Sequence, residues 1–526
     1  TDVPVDTTLA WTPGETAAAH DVYLGIVFAD VNEAGRDSAG LLVSQEQADA
    51  QYSPQEPLVY GTTYYWRIDE INAAPDFTVF KGTTWSFTTE PYGYPIANVT
   101  ATASGSQPGM GPENTVNNSG LDDMDQHSTE STDMWTSDGV KPTWIQFEFD
   151  AVYTLHELWV WNSNQLIEGF LGFGAKDVTV EYSLDGQTWT TLEGVPQFAR
   201  GTGLPTYTAN TTVAFNSVTA RYVKLTIEAN WGGAVPSTGL SEVRFFYVPV
   251  QAFRPQPADG ATEVSIDAGL SWRPGRMATS HAVRVGTDET AVAEGTMPAE
   301  TVAGHSFSPG TMNLATEYFW KVDESGNSGA YTGVVWSFTT QEFAAIDDFE
   351  SYNDNVDAGT AIWQAWVDGV TTKASGSQVG YTESPFAERA IVHGGRQSMP
   401  LLYDNSASPY YSEAERTFDS PQDWTAHGAD TLCVYFQGAA ANSSEGLYAT
   451  LKDNSKSATV AYAGAATTTT AEWQRWTIPL SDFTGVKATA VKALVIGVGN
   501  RAAPASGGTG TIYIDDIGYG RLLPSP

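Results

Sequence analysis

The chain has 526 residues, with 62 Asp and Glu against 25 Lys and Arg, giving a net charge of −37 and an isoelectric point near 4.3. A surface of that sign repels phosphate backbones and anionic bilayers, which argues against nucleic acid or membrane insertion. A composition of 41% hydrophobic and 12% aromatic residues supplies cores for roughly three to five domains. The single cysteine, Cys433, lies in an apolar run, 431–436, that reads as a buried strand, so no disulfide framework exists. No apolar run is long enough to span a bilayer.

In chain order, the first block is one half of an internal repeat. Residues 1–25 align without a gap on 262–286, so Trp11 answers Trp272 and His20 answers His281. Further on, 65–70 answers 319–324 and 85–89 answers 336–340. Short alternating runs bounded by Gly, Asn, Asp and Pro, with no sustained helical period, make the whole chain all-β. Pro-rich junctions place four modules at 1–90, 91–249, 250–341 and 342–526. The repeated module resembles the fibronectin type III or immunoglobulin-like sandwich, with Trp11 and Trp66 as core tryptophans. Residues 254–261 are expected to form the entry strand of the second copy, and the first copy begins without one.

Residues 96–248 carry Met134-Trp135, then Trp144-Ile145-Gln146-Phe147, 180–189, 220–225 and Leu240-Ser241-Glu242-Val243-Arg244-Phe245. These ordered motifs resemble the discoidin family, the coagulation-factor C-type jelly roll that also occurs as a carbohydrate-binding module. The resemblance implies a structural calcium ion held by a loop residue and the last motif, here Asn117 and Glu242. Asn117 stands where the family has Asp, so it brings no charge to the site. Sugar recognition needs aromatic faces and planar amides, and three loops offer them: Trp161 to Gln165 with Asn164, 169–174 around Phe170, and Asn230-Trp231-Gly232-Gly233. Trp231, Asn230, Trp161 and Asn164 are the candidate sugar contacts. His127 is expected in a solvated loop.

The last module opens with Ile346-Asp347-Asp348-Phe349-Glu350 and closes with Ile514-Asp515-Asp516-Ile517. This pairing resembles β-jelly-roll carbohydrate-binding modules whose first and last strands share calcium. Converging carboxylates at Asp348, Glu350 and Asp515 need a cation between them; solvated edge charges are the alternative. Trp424 and Trp476 read as core. Tyr410 and Tyr411, with Trp363 and Trp366, read as exposed, and the two tyrosines complete the set of candidate sugar contacts.

No Gly-x-Ser-x-Gly, phosphate-cradling loop or paired zinc histidines occur, so no catalytic residue is assigned. The expectation is a non-catalytic extracellular or cell-surface glycan-binding and adhesive protein, or an accessory region of a larger secreted protein. Its partner is a polysaccharide or cell-surface glycan, preferably neutral. The competing expectation is a structural subunit of a surface layer or filament. The Pro-Ser-Pro at 524–526 echoes 255–257, so head-to-tail continuation, within a longer polypeptide or between subunits, is also expected.

Overall fold

The structure is a computed structural model and describes residues 2–326, 329–464 and 467–523. Thr1 and the Pro-Ser-Pro at 524–526, on which the head-to-tail expectation rests, lie outside the described residues. The chain is all-β, as its alternation predicts, and folds into two compact units. One comprises Thr1–Phe253, Arg273–Thr279 and Glu324–Tyr331, the other Arg254–Trp272, Ser280–Asp323 and Thr332–Pro526.

In the first repeat Ala17–Gly25 pairs antiparallel with Thr63–Asn72 and with Leu42–Gln47. Its Trp11, Trp66 and Trp85 rings stack at 6.4 and 4.8 Å. The second repeat reproduces that stack as Trp272, Trp320 and Trp336 at 6.3 and 4.8 Å. The copies differ in cover: Trp336 is 7% exposed and Trp85 45%. In the second copy Phe253–Gln256 adds a third strand beside Leu270–Arg273, and Ala261–Val264 runs parallel to Trp336–Thr340. Residues 254–261 thus contribute to both sheets rather than to one entry strand. Arg67 is fully buried with all five N–H donors used, on Asp69 and on the carbonyls of Val31, Asn32 and Ala34, which satisfies the charge that burial exposes to a low dielectric.

The discoidin-like module is built on one 20-residue strand, Thr143–Asn162. Its first half pairs with Thr219–Asn230 and, beyond an irregularity between Glu148 and Tyr153, its second half pairs with Gly239–Tyr247. One strand therefore serves both layers. Alternation buries Ile145, Phe147 and Phe149 in the first half and Leu158 and Val160 in the second. His127 is fully buried, bridged to Leu121 and Tyr207, and not in the solvated position its acidic neighbours suggested, while Asp122, Asp123 and Met124 beside it are exposed.

In the last module two sheets enclose a core of Trp366, Trp424, Leu432, Val434, Leu494 and Ile512. Cys433 and Trp476 are buried as expected. Trp366 is fully buried, its Nε1 donating to Asp347 at 2.8 Å, and Trp363 packs on Phe386, which corrects the expectation that both are exposed.

Within the first unit, Arg276, from the 273–279 segment of the second repeat, is buried against the end of the first sandwich and its exit segment. Its side chain is 2% exposed, pairs with Glu90 at 2.9 Å and donates to the Pro91 carbonyl. The rings of Tyr60, Tyr94 and Phe253 lie 4.7, 5.8 and 5.5 Å from its guanidinium carbon. Removing one member of a buried pair leaves a desolvated charge, so Arg276→Ala should destabilise this unit by roughly 3 kcal/mol. Arg273, also on Glu90, softens the loss. Calorimetric melting of the variant would measure it.

Candidate glycan-binding sites

The strand ends at Asn162 and Asn230 deliver two loops to one edge of the discoidin-like module, and buried amides hold those loops in place. Asn162 donates from Nδ2 to the carbonyls of Ala175 and Ala199, both at 2.7 Å. Asn164 is fully buried; its Nδ2 donates to the carbonyls of His127, Ser128 and Leu204, and its Oδ1 accepts from Gly203 N at 2.7 Å. One side chain thereby ties three loops together.

Glu168 shapes the loop between. It is fully buried, and its two carboxylate oxygens accept the N–H groups of Phe173 and Gly174, each at 3.0 Å; burial pushes its carboxyl upward. Gly172, at φ +66°, meets the backbone of Trp231 and Gly232 so closely that a Cβ would lie 2.4 Å from Gly232 N. A Cβ on Gly232 would lie 1.8 Å from the Leu171 carbonyl oxygen. Glycine against glycine therefore sets the 168–174 loop directly beside Trp231.

Trp231 is 36% exposed, with Nε1 donating to the Phe198 carbonyl at 3.0 Å and the Lys176 ammonium 5.2 Å from its ring centroid. It is a held ring with one part open. The loop whose backbone meets Trp231 and Gly232 exposes apolar side chains, above all Phe170 at 91%, with Leu166, Ile167 and Leu171. Two expected contacts are corrected. Trp161 is 1% exposed, its Nε1 spent on the Asp125 carbonyl and its face covered by Arg244 at 5.1 Å. Asn164 is a buried tie between loops and cannot reach a sugar. Asn230 spends Nδ2 on the Val235 and Ser237 carbonyls and accepts Gly233 N at Oδ1, so its carboxamide serves first to form the turn. Glu168 and Lys176 were not singled out from sequence, because nothing in the pattern separates a buried carboxylate from a surface one.

The calcium candidates divide. Glu242 is 2% exposed, burial pushes its carboxyl up to about 8, and Oε2 has no hydrogen-bond partner among the described residues. The neighbouring Asn118 N–H reaches it, while Asn117 Oδ1 accepts Ser119 N at 2.8 Å. In the last module Glu350 accepts the N–H groups of Arg396 and Gln397. Asp515, fully buried, accepts those of His393 and Gly394, and burial pushes it up to about 6. Asp348 takes the Glu350 N–H. Each of these three carboxylates thus accepts at least one backbone N–H. Among the described residues no three His, Cys, Asp or Glu side chains are grouped to hold a metal ion.

Tyr410 and Tyr411 are both half-buried, Tyr410 at φ +66° after the cis Ser408–Pro409 bond. Along the strand Tyr411–Gln422, Tyr411, Glu413 and Glu415 share one face while Ser412 and Ala414 point inward. Glu413 accepts from Tyr448 Oη and Arg501 Nη1, both at 2.8 Å, and Arg501 lies 5.6 Å from the Tyr411 ring. Next to this end of the strand a cavity of about 580 Å³ is lined by Ser377, Gln378, Asp404, Ser408 and Thr511 among others. Aromatic edge, carboxylate, guanidinium and hydroxyls are the groups that polyhydroxylated ligands engage.

Asn164→Ala should cost roughly 3 kcal/mol, since it strands three buried carbonyls and one N–H at once. It should also loosen the Trp231 edge, read as a lower melting temperature and as new proteolytic cleavage within 163–174 and 201–204.

Residues 99–240 match the family model described as F5/8 type C domain, and residues 351–521 match that described as Carbohydrate binding domain 30. No curated protein matches the chain. Among solved structures, the family 32 module of Clostridium perfringens NanJ in complex with galactose is similar at 14% identity, covering 29% of this chain and 98% of that one, with a TM-score of 0.22. A family 30 carbohydrate-binding module shares 15% identity over 27% of this chain and 75% of that one, with a TM-score of 0.22. A family 89 glycoside hydrolase from Clostridium perfringens in complex with GlcNAc-alpha-1,4-galactose shares 16% identity over 30% of this chain, at a TM-score of 0.20. The match spans 15% of that enzyme's length. This chain thus carries an F5/8 type C segment at 99–240 and a carbohydrate binding domain 30 segment at 351–521.

Proposed function

We propose that this chain binds glycan without acting on it, as an extracellular accessory region of a larger secreted protein. The observation that carries the reading is Trp231: a ring anchored by its own N–H, partly open, and set by paired glycines against the 168–174 loop, which exposes Phe170. Pyranose C–H faces stack on such rings, and a fixed ring loses little ordering entropy on binding. The match at 351–521 to Carbohydrate binding domain 30 supports a second contact, for which Tyr410 and Tyr411 are the proposed residues. The net charge of −37 favours neutral glycans over sulfated or uronic ones. On a glycan array the intact chain should bind a neutral glycan saturably, and Trp231→Ala should weaken the interaction of the discoidin-like module by about tenfold, the loss of one stacked ring. Binding unchanged in both Trp231→Ala and Phe170→Ala would remove this edge from the proposal.

The alternative, a subunit of a surface layer or filament, draws on the exposed apolar side chains of the first sandwich, among them Phe77, Phe80 and Trp85. Silence on the array together with ordered self-association in sedimentation would favour it.

We further propose that Glu242 accepts calcium in the discoidin-like module. A desolvated carboxylate with an unpartnered oxygen is the group a hard cation relieves, and Asn117 and Asn118 stand on the adjoining loop. When bound, the ion would supply the positive charge this buried carboxylate lacks. Calcium should raise the melting temperature of the wild type by mass action and leave Glu242→Gln unmoved. In chelator the Gln variant should be the more stable of the two. An equal calcium shift in both proteins would exclude Glu242 as a ligand.

A further inference from the structure

Outside the strand that carries Tyr411, the last module has a second recess, of about 220 Å³, on the outer face of its other sheet. Phe343, Asp348, Cys433, Tyr435 and Asp516 line it. The sheet alternation explains the set: Leu432, Val434 and Phe436 enter the core, so Cys433 and Tyr435 face the recess. The imidazole of His393 stacks on Tyr435 at 3.7 Å and 21°, and Trp473 meets that imidazole edge-on at 5.7 Å. The loop carrying His393 is held from below, because Asp515 accepts its N–H at 2.8 Å.

The charges on this face can be paired off one by one. Asp516 is 2.5 Å from His393 Nδ1. Arg475, at the rim over Phe343, is 2.6 Å from Glu342. Asp348 is left: exposed, with one oxygen on Glu350 N and no ion pair among the described residues. No Lys or Arg lines the recess, and among the described residues no three His, Cys, Asp or Glu side chains are grouped there to hold a metal ion. An unpaired carboxylate at the mouth of an aromatic-walled recess is matched by an organic cation, which gains both the ion pair and the ring quadrupole.

We propose that this recess binds a protonated primary amine borne on a sugar, so that the last module takes glycans containing unacetylated hexosamine. Asp348 pairs with the ammonium, Asp516 accepts a ring hydroxyl, and the Tyr435 and Phe343 rings that line the recess contact the C–H face. This rests on the glycan-binding reading but uses none of the residues proposed there, so the two fail separately.

The test monitors the His393 ring signals in the full chain labelled with 15N-histidine, assigned through His393→Gln, during titration with glucosamine, N-acetylglucosamine and glucose at one pH. Glucosamine should shift them saturably, the acetylated and neutral sugars should bind about tenfold more weakly or not at all, and Asp348→Asn should weaken glucosamine by about tenfold. Asp123→Asn, an exposed acid in a different module, should change nothing. Equal shifts from glucosamine and N-acetylglucosamine, glucosamine shifts that survive Asp348→Asn, or no shift with any sugar would each overturn the proposal. Array binding sensitive to Trp231→Ala would stand in all three cases, whereas an array without binding beside a positive glucosamine titration would remove the edge at Trp231 and keep this site.

Discussion

Everything presented at the Trp231 edge depends on the carboxamide of Asn164. Three loops of the discoidin-like module have no sheet to hold them, and a loop that is to present a rigid face must find partners for its backbone elsewhere. Asn164 supplies two donors and an acceptor at one buried point and gathers carbonyls from 127, 128 and 204 with the N–H of 203. Glu168 does the same for 173 and 174. Neither can touch a ligand. Both decide where the side chains that can do so will stand, and the positioning is enthalpic and fixed before binding, so little ordering remains to oppose association.

The same division of labour runs through the acidic surface. Several of the basic residues are paired with acids, Arg67 buried on Asp69 and three carbonyls, Arg276 buried on Glu90, Arg244 half-buried on Asp125, and Arg501, itself exposed, on Glu413. The negative charge left outside acts on approach and solubility, while the packed modules are held by cores of aromatic and branched side chains.

Strand alternation, turn residues and an ungapped repeat were enough to read the all-β architecture, since each is a local property of the chain. The tryptophan stack of the sandwiches was legible because it occurs twice. Side-chain direction at strand ends was not. Trp161 and Trp231 both sit next to Asn at the end of a long strand, yet one is covered by Arg244 and the other is open, a difference made by the insertion carrying Asp125 and by Gly172. The backbone partners of the last module's carboxylates were not legible for a related reason: charge in a sequence signals a need for partners without naming them, and at Glu350 and Asp515 backbone N–H groups are among those partners. Burial of His127 was invisible because its acidic neighbours looked like solvent-facing residues.

The glycine contact between residues 172 and 232 bears on how such a binding edge could diversify. With a hypothetical Cβ falling 2.4 Å from Gly232 N on one side and 1.8 Å from the Leu171 oxygen on the other, neither position tolerates a side chain without parting the loops. Selection for a new ligand is therefore channelled away from the hinge and onto the tips. Phe170 and Leu204, 91% and 56% exposed, are the positions with most room to vary in size and polarity. A family of chains built on this scaffold should show invariant small residues framing hypervariable ones, the inverse of a pattern in which the most exposed residues are the most constrained.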